Sequence, residues 1–404
     1  MAPYPDPSPP LEELGRRWSR LQALMAEQGL DGILFLQNAD LIYACGSTQP
    51  EAVFLPGDGT PLVLARPPLD RTAAELAWTS VEFMPRRDGL GERLKDHARG
   101  KLDVLGLELD VLPAAMFQRL AEESLSGLEL VDASWCVAQA RAVKTEFELS
   151  LMGISALELD FLFRSVPDLL SQGVTELELD GRLMALARSR GHQGIIRGRG
   201  FNMELFLGHV LSGENGLVTS KVASPTGGAG IIPGFSQGAG PRRIRAGDLV
   251  SVDICGTYGG YITDQARLFI IGPVPTLVQE TYDRLLNLIE DLKTWLRPGM
   301  ACGRIYDQAF RLAEGQGLTE GFMDPGGAVC PFIGHGLGLE LDEWPALAKG
   351  SNAVLAAGMT LALEPRVFLP GVGVIGLEDT YLVTEDGPLA LTLTDRRIGE
   401  AMVP

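Results

Sequence analysis

Four carboxylates in the second half of this 404-residue chain fall into two pairs whose spacing suits hairpins. Asp253 and Asp264 flank Ile254 to Thr263, so an even-length turn centred on Tyr258 and Gly259 predicts that they face each other across paired strands. Glu364 and Glu378 flank Pro365 to Leu377, and an odd-length turn at Pro370, Gly371 and Val372 predicts the same for them. Like charges directly opposite on a sheet are destabilising. At roughly 5 Å and an effective dielectric of about 20 the repulsion is about 3 kcal/mol per pair. Something positive belongs between them, and two divalent cations would balance four carboxylates. Hard or borderline metals take oxygen ligands and tolerate imidazole. His335 lies between the pairs in the chain, and its neighbours Gly334 and Gly336 would let the backbone bring that ring into a crowded centre.

The elements that must carry these residues repeat. Arg141 to Glu148 marks a junction, where Thr145 and Glu148 have the spacing of a capping box that opens a long helix to about Leu170. After a turn at Gly173, Thr175 and Glu178 form a second capping box and open a helix through Ser189. The order returns as a helix from about Thr276 to Leu296, a Pro298-Gly299 turn and a shorter helix around Gly303 to Glu314. Each helix pair precedes one carboxylate hairpin, the pattern of an internal duplication. Upstream, a Pro-rich stretch over residues 1–10 predicts a flexible tail, and apolar residues from Leu11 to Met25 predict a helix stopped by Gly29. Strand-like runs at 31–36, 52–55, 61–65 and 104–107 alternate with helical stretches such as 113–124, which predicts an α/β domain over 11–142. Residues 143–404 would form the second domain.

The balance of 34 basic against 52 acidic residues, a net charge of -18, argues against nucleic acid and anionic membranes as partners. Five scattered cysteines with no CxxC spacing suit a reducing compartment, and no run of about 18 apolar residues or basic leader stands in the sequence. A cytoplasmic location is the expectation.

In their order and local strings, Asp253, Asp264, His335, Glu364 and Glu378 resemble the dinuclear metal site of the creatinase and methionine aminopeptidase superfamily. The strings are Val252-Asp-Ile254, Thr263-Asp-Gln-Ala-Arg267, Gly334-His-Gly336, Leu363-Glu-Pro365 and Leu377-Glu-Asp379. Within the superfamily the chain is most similar to Xaa-Pro aminopeptidases and prolidases. The resemblance implies an α+β fold, with a duplicated pita-bread catalytic domain behind an N-terminal α/β domain of the creatinase type. It implies two divalent ions, with Mn2+ favoured and Co2+, Fe2+ or Zn2+ compatible, and a homodimer that removes N-terminal residues from short peptides. Asp253 would bind one ion and His335 with Glu364 the other, while Asp264 and Glu378 bridge. Metal coordination lowers the pKa of bound water from about 16 toward about 7, and Glu364 would act as general base and then acid.

Around these five residues the chain departs from that family's pattern. Ser220, Pro331 and Asp342 stand where histidines are usual, and Gly376 stands where an arginine is usual. His209, Ser220, Arg267 and Asp342 are candidates for supporting or substrate-contacting roles. A Gly-rich loop, 224–241, is expected near the mouth of the site as a source of backbone N–H donors. The departures keep open a metalloenzyme acting on a non-peptide substrate, as in the dimethylsulfoniopropionate lyase branch, and a metal-binding but catalytically silent member.

Overall fold

Apolar residues at helical spacing fold as α1 (Leu11–Gln28), which buries Leu14, Trp18, Leu21 and Met25 and ends at Gly29 with φ 71°. The structure, a computed structural model, describes residues 4, 6–84, 89–221, 224–327 and 329–401. They divide into two units, one of residues 6–141 with 199–203, the other of residues 142–198 and 204–404 together with the chain's start. Of the Pro-rich stretch, residues 1–3 and 5 lie outside the described residues. The Tyr4 hydroxyl bonds to the Glu158 carboxylate, and its ring meets Tyr258 edge-on.

In the first unit, α1 is followed by β1 (Gly32–Phe35), α2 (Asn38–Cys45), β2 (Ala52–Pro56), β3 (Leu62–Ala65), α3 (Asp70–Glu75), β4 (Val81–Phe83), α4 (Leu90–His97), β5 (Val104–Leu107), α5 (Ala114–Arg119), β6 (Glu129–Asp132) and α6 (Ser134–Ala142). The six strands form one sheet in the order β4-β3-β2-β1-β5-β6. The strands at its centre are apolar runs buried throughout, whereas β4 and β6 are short and largely uncovered. That is why the hydrophobic pattern does not announce those two. The helix expected over 113–124 stops at Arg119 and passes into a π-turn over Leu120–Ser124.

The second unit has the duplicated order. Its first half is α7 (Glu146–Leu169), α8 (Glu176–Ser189), β7 (Gly208–Ser212), β8 (Leu249–Tyr258) and β9 (Tyr261–Ile271). Its second half is α9 (Thr276–Lys293), α10 (Cys302–Gly315), β10 (Phe332–Gly336), β11 (Glu343–Ala348), β12 (Thr360–Leu363), β13 (Arg366–Leu369), β14 (Gly373–Gly376), β15 (Asp379–Thr384), β16 (Gly387–Ala390) and β17 (Gly399–Ala401). Both expected capping boxes form, at Thr145 with Glu148 and at Thr175 with Glu178. Helix α7 holds the first hairpin through Ser155 Oγ on Thr263 Oγ1 at 2.9 Å and Glu148 accepting from the Tyr261 hydroxyl at 2.8 Å. Helix α9 covers the second through Leu285, Ile289 and Leu292, which join one core with Leu361, Leu363, Ile375 and Leu377. The sheets run β17-β9-β8-β7 and β11-β10-β12-β15-β16, with β13-β14 as a separate pair.

The two carboxylate hairpins differ in how their registers compare with expectation. The first turn lies one residue later than expected. Tyr258 pairs with Tyr261, so the loop is Gly259-Gly260, with φ 56° and 87°. A two-residue hairpin loop with both φ positive is the turn that matches strand twist, and glycine adopts it without strain. Asp253 therefore pairs with Ala266 and Asp264 with Cys255, which makes the two aspartates diagonal neighbours rather than direct opposites. The shift is two positions along the partner strand, so both stay on one face. The second hairpin follows the expected register. Leu369 pairs with Gly373 around Pro370–Val372, and Leu363 pairs with Asp379 in the next ladder, so Glu364 and Glu378 stand opposite each other between the two ladders. Among the described residues no helix is long and apolar enough to cross a membrane.

The Gly259-Gly260 turn sets which residues of β9 face Asp253. Gly259→Val places a β-branched residue at positive φ and is expected to lower unfolding free energy by about 1–2 kcal/mol, read from the denaturant midpoint at unchanged slope.

Candidate metal centre

Arg366 lies in the middle of the four carboxylates. Its side chain is fully buried, and Nη2 donates to Asp253 Oδ2 at 2.9 Å, Glu364 Oε2 at 3.0 Å and Glu378 Oε2 at 2.8 Å. Beside it, ligand atoms of Asp264, His335 and Glu378 lie within 4.8 Å of one another. His335 Nδ1 is 3.1 Å from the Gly336 carbonyl, so Nδ1–H donates there and Nε2, 3.6 Å from Glu364 Oε1, is the nitrogen that faces the cluster. Glu378 faces both ways. Its Oε2 accepts from Arg366, while Oε1 is buried without a partner among the described residues.

Several groups fix these side chains through their backbones. Thr380 Oγ1 accepts from the Asp264 N–H and donates to the Asp264 carbonyl, both at 2.9 Å. Arg267, expected to orient a ligand carboxylate, instead grips main chain. Its Nη1 donates to the Glu378 carbonyl at 2.8 Å, and Nη2 pairs with Asp379, the next residue, at 2.7 Å. Asp342 Oδ1 is 3.5 Å from His335 Nδ1, beside the Gly336 carbonyl. His209 is the strand neighbour of Asp253, buried, with Nδ1 3.0 Å from Thr226 Oγ1, and burial pushes its pKa down against the raising charge of Asp253. Ser220 is not brought to the cluster. It is half-buried, and its hydroxyl donates to the Ser236 carbonyl.

The Gly-rich loop packs against His209 through Thr226 and Gly238. Many of its amides are engaged by protein acceptors rather than left for substrate: Gly228 on Val218, Ala229 on Asn215, Gly230 on Gly238, and Gly238 on Gly227. Its anchor is Glu176, which is fully buried and accepts from Ser212 N–H and Oγ, Asn215 Nδ2 and the Gly240 N–H. Glu176 lies in the first turn of α8 with no motif to mark it, and Arg366 stands just beyond the Leu363-Glu-Pro365 string. The register that opposes Glu364 to Glu378 also pairs Arg366 with Gly376, and that signal was in the chain.

The family model of metallopeptidase family M24 matches residues 154–385, more than half of the chain. The chain belongs to metallopeptidase family M24. A second model, the creatinase/prolidase N-terminal domain, matches residues 17–143. Over 391 residues this M24 member is 29% identical to a protein described as probable dipeptidase PepE of Mycobacterium bovis, with 94% of each chain covered. It is 24% identical to the Xaa-Pro dipeptidase of Pyrococcus furiosus, over 95% of this chain and 99% of the relative. Among solved structures, dipeptidase PepE from Mycobacterium ulcerans superposes with a TM-score of 0.79 at 25% identity, covering 98% of this chain and 100% of the other. The prolidase from Pyrococcus horikoshii OT3 shares the fold with a TM-score of 0.73 at 21% identity, over 95% and 99% of the two chains.

M24 membership implies divalent metal ions, and the donors here fit one. An imidazole with its far nitrogen already bonded and two carboxylates, Asp264 and Glu378 with its orphaned Oε1, form a mixed set of the kind that binds Mn, Fe, Co or Zn. Glu364 Oε1, 3.6 Å from His335 Nε2, stands beside this set. Without an ion the M24 centre holds protons instead. Burial pushes Glu364 up to about 7 against the pull of Arg366 and His335, and burial with the Asp253 charge pushes Asp264 up to about 6. Glu378 is raised well above the carboxylate range by burial and then by Asp264. For His335 burial acts downward, but Asp342, Glu364 and Asp264 outweigh it and raise the ring to about 8.

Each of these groups has a folded pKa above its unfolded value, near about 4 for the acids and about 6.5 for histidine. The metal-free fold therefore binds more protons than the unfolded chain, and its stability falls as pH rises from about 4 through about 8. In chelator, the melting temperature is expected to be lower at about pH 8 than at about pH 5.5. Adding Mn2+ should raise it most at the higher pH, with about 2.7 kcal/mol of stabilisation once free ion exceeds Kd by about 100-fold. A melting temperature that climbs with pH in chelator would contradict this charge balance.

Proposed function

We propose that this M24 metallopeptidase is a dipeptidase of the Xaa-Pro type acting on short peptides. The observation that carries the reading is the buried Asp264, His335 and Glu378 cluster with the Glu364 carboxylate beside it, in a chain aligned end to end with dipeptidases. Asp264, His335 and Glu378 hold the ion in this reading, and a divalent ion there supplies Lewis acidity to the attacking water and the scissile carbonyl. Glu364 takes the proton of that water and returns it to the leaving nitrogen. Its carboxylate stands beside the His335 ring, Oε1 3.6 Å from Nε2, where it can accept the proton of a water at the cluster. Asp342 and the Gly336 carbonyl keep the His335 proton on Nδ1, and Arg267 fixes the backbone from which Glu378 projects.

Manganese is the ion we favour, by resemblance and by the preponderance of carboxylate oxygen over imidazole nitrogen. Five free, buried cysteines support a reducing, cytoplasmic setting. A homodimer is the assembly that the family resemblance implies, and light scattering on the purified protein reads it directly.

The substrate reading is tested on a panel of Xaa-Pro dipeptides, longer Xaa-Pro peptides and non-proline controls, with Mn2+ or Co2+ present. Turnover confined to Xaa-Pro dipeptides is expected, with Glu364→Gln lowering kcat by roughly 100-fold or more and KM little changed. Turnover of no peptide by metal-loaded protein would defeat the reading and favour a non-peptide substrate.

A further inference from the structure

We propose that Arg366 takes the place of one of the two cations that a site of this kind would hold, and that the centre binds a single divalent ion on Asp264, His335 and Glu378. The inference rests on the metallopeptidase reading only for there being an ion at all. Three observations carry it.

The first is position. Nη2 of Arg366 is 2.8 to 3.0 Å from one oxygen each of Asp253, Glu364 and Glu378. Metal–oxygen bonds are about 2.0–2.2 Å long, so an ion shared by those three oxygens would lie within the van der Waals envelope of that nitrogen. The guanidinium and the ion cannot both be there.

The second is permanence. Arginine does not lose its proton in proteins, so the charge cannot be titrated away to admit a metal. The side chain is fully buried and has no solvent to retreat into. Its path is built in as well. Arg366 pairs with Gly376, and a Cβ at Gly376 would stand 2.9 Å from Arg366 Cγ and 3.3 Å from Nη1, so the arginine can lie across the strand pair only because position 376 has no side chain.

The third is the division of donors. Among the described residues the one group with metal-binding spacing is Asp264, His335 and Glu378, and Asp253 is outside it with its Oδ2 on Arg366. Glu378 spans both places, with Oε2 on the guanidinium and Oε1 unpaired. A carboxylate expected to bridge two ions thus bridges an arginine and one ion.

The test is a count of bound metal on the full chain, stripped with chelator, reloaded with Mn2+ and desalted. Mass spectrometry of the metal should give one Mn2+ per chain, and the electron paramagnetic resonance spectrum should be that of an isolated ion. Arg366→Met, and separately the exchange Arg366→Gly with Gly376→Arg, should raise the count from one to two and give the spectrum of an exchange-coupled pair. Two coupled ions in the wild-type protein, or a count that stays at one in both variants, would overturn the proposal. If neither variant folds, anomalous scattering from Mn2+ in wild-type crystals decides: density on Asp264, His335 and Glu378 alone supports it, and density on Asp253 overturns it. Peptide turnover is scored separately. A one-ion protein that cleaves no Xaa-Pro peptide would end the substrate reading and leave this one standing, whereas a protein that takes up no ion would end both.

Discussion

Four carboxylates drawn out of water into one small volume repel one another and forfeit their hydration, and unpaired charges in such surroundings are strongly destabilising. Asp264, Glu364 and Glu378 are almost entirely buried and Asp253 is nearly so. The rest of the second unit can be understood as what makes that arrangement tolerable. Arg366 supplies the fixed positive charge, His335 is drawn toward its protonated form, and Asp264, Glu364 and Glu378 are all pushed toward theirs in the absence of an ion. Two hairpins, each backed by a helix, carry the carboxylates, and Thr380 and Arg267 bond to the main chain of Asp264 and Glu378 rather than to their carboxylates. The side chains are thereby left free to bind.

Much of this was legible in the sequence where local rules dominate. The capping boxes, the Pro298-Gly299 turn, the long helices and the buried strands of the first unit all follow from spacing and breaker residues. The second hairpin was legible in full because Pro370, Gly371 and Val372 allow one natural centre. The first was misplaced by one residue at its turn because three small or aromatic residues, Tyr258, Gly259 and Gly260, compete for it, and the demand for two positive φ angles decides in favour of the glycine pair. What local rules cannot show is what a side chain reaches. Arg267 and Glu176 both bond to groups distant in sequence, and neither has a motif that says so. Arg366 had one, since its partner across the strands was the very glycine that stood out as a missing arginine.

Glu364 and Glu378 occupy a seam. The β12–β15 and β13–β14 ladders share one register, yet at the two glutamates the pairing is broken: the Glu364 N–H goes to Ile333 on the His335 strand and the Glu378 N–H to Ala266 on the Asp264 strand. Each glutamate thus ties the strand that carries it to a strand that carries another member of the cluster. Pro365, which has no N–H to give, follows Glu364 in the seam. The site is assembled at the one place where the sheets exchange partners, so its geometry reports on both halves of the unit together.

The pairing of Arg366 with Gly376 has an evolutionary consequence. An arginine at both positions would collide, because even a Cβ at 376 comes within 2.9 Å of the Arg366 side chain. A glycine at both would leave the carboxylates without their resident cation. The two positions are therefore coupled, and a side chain at 376 is accommodated without strain only when the arginine at 366 has gone. Scored one position at a time, the chain shows an arginine lost and an unrelated arginine gained. Scored as a pair, it shows an arginine and a glycine facing each other across one strand pair, so the two departures count as a single event.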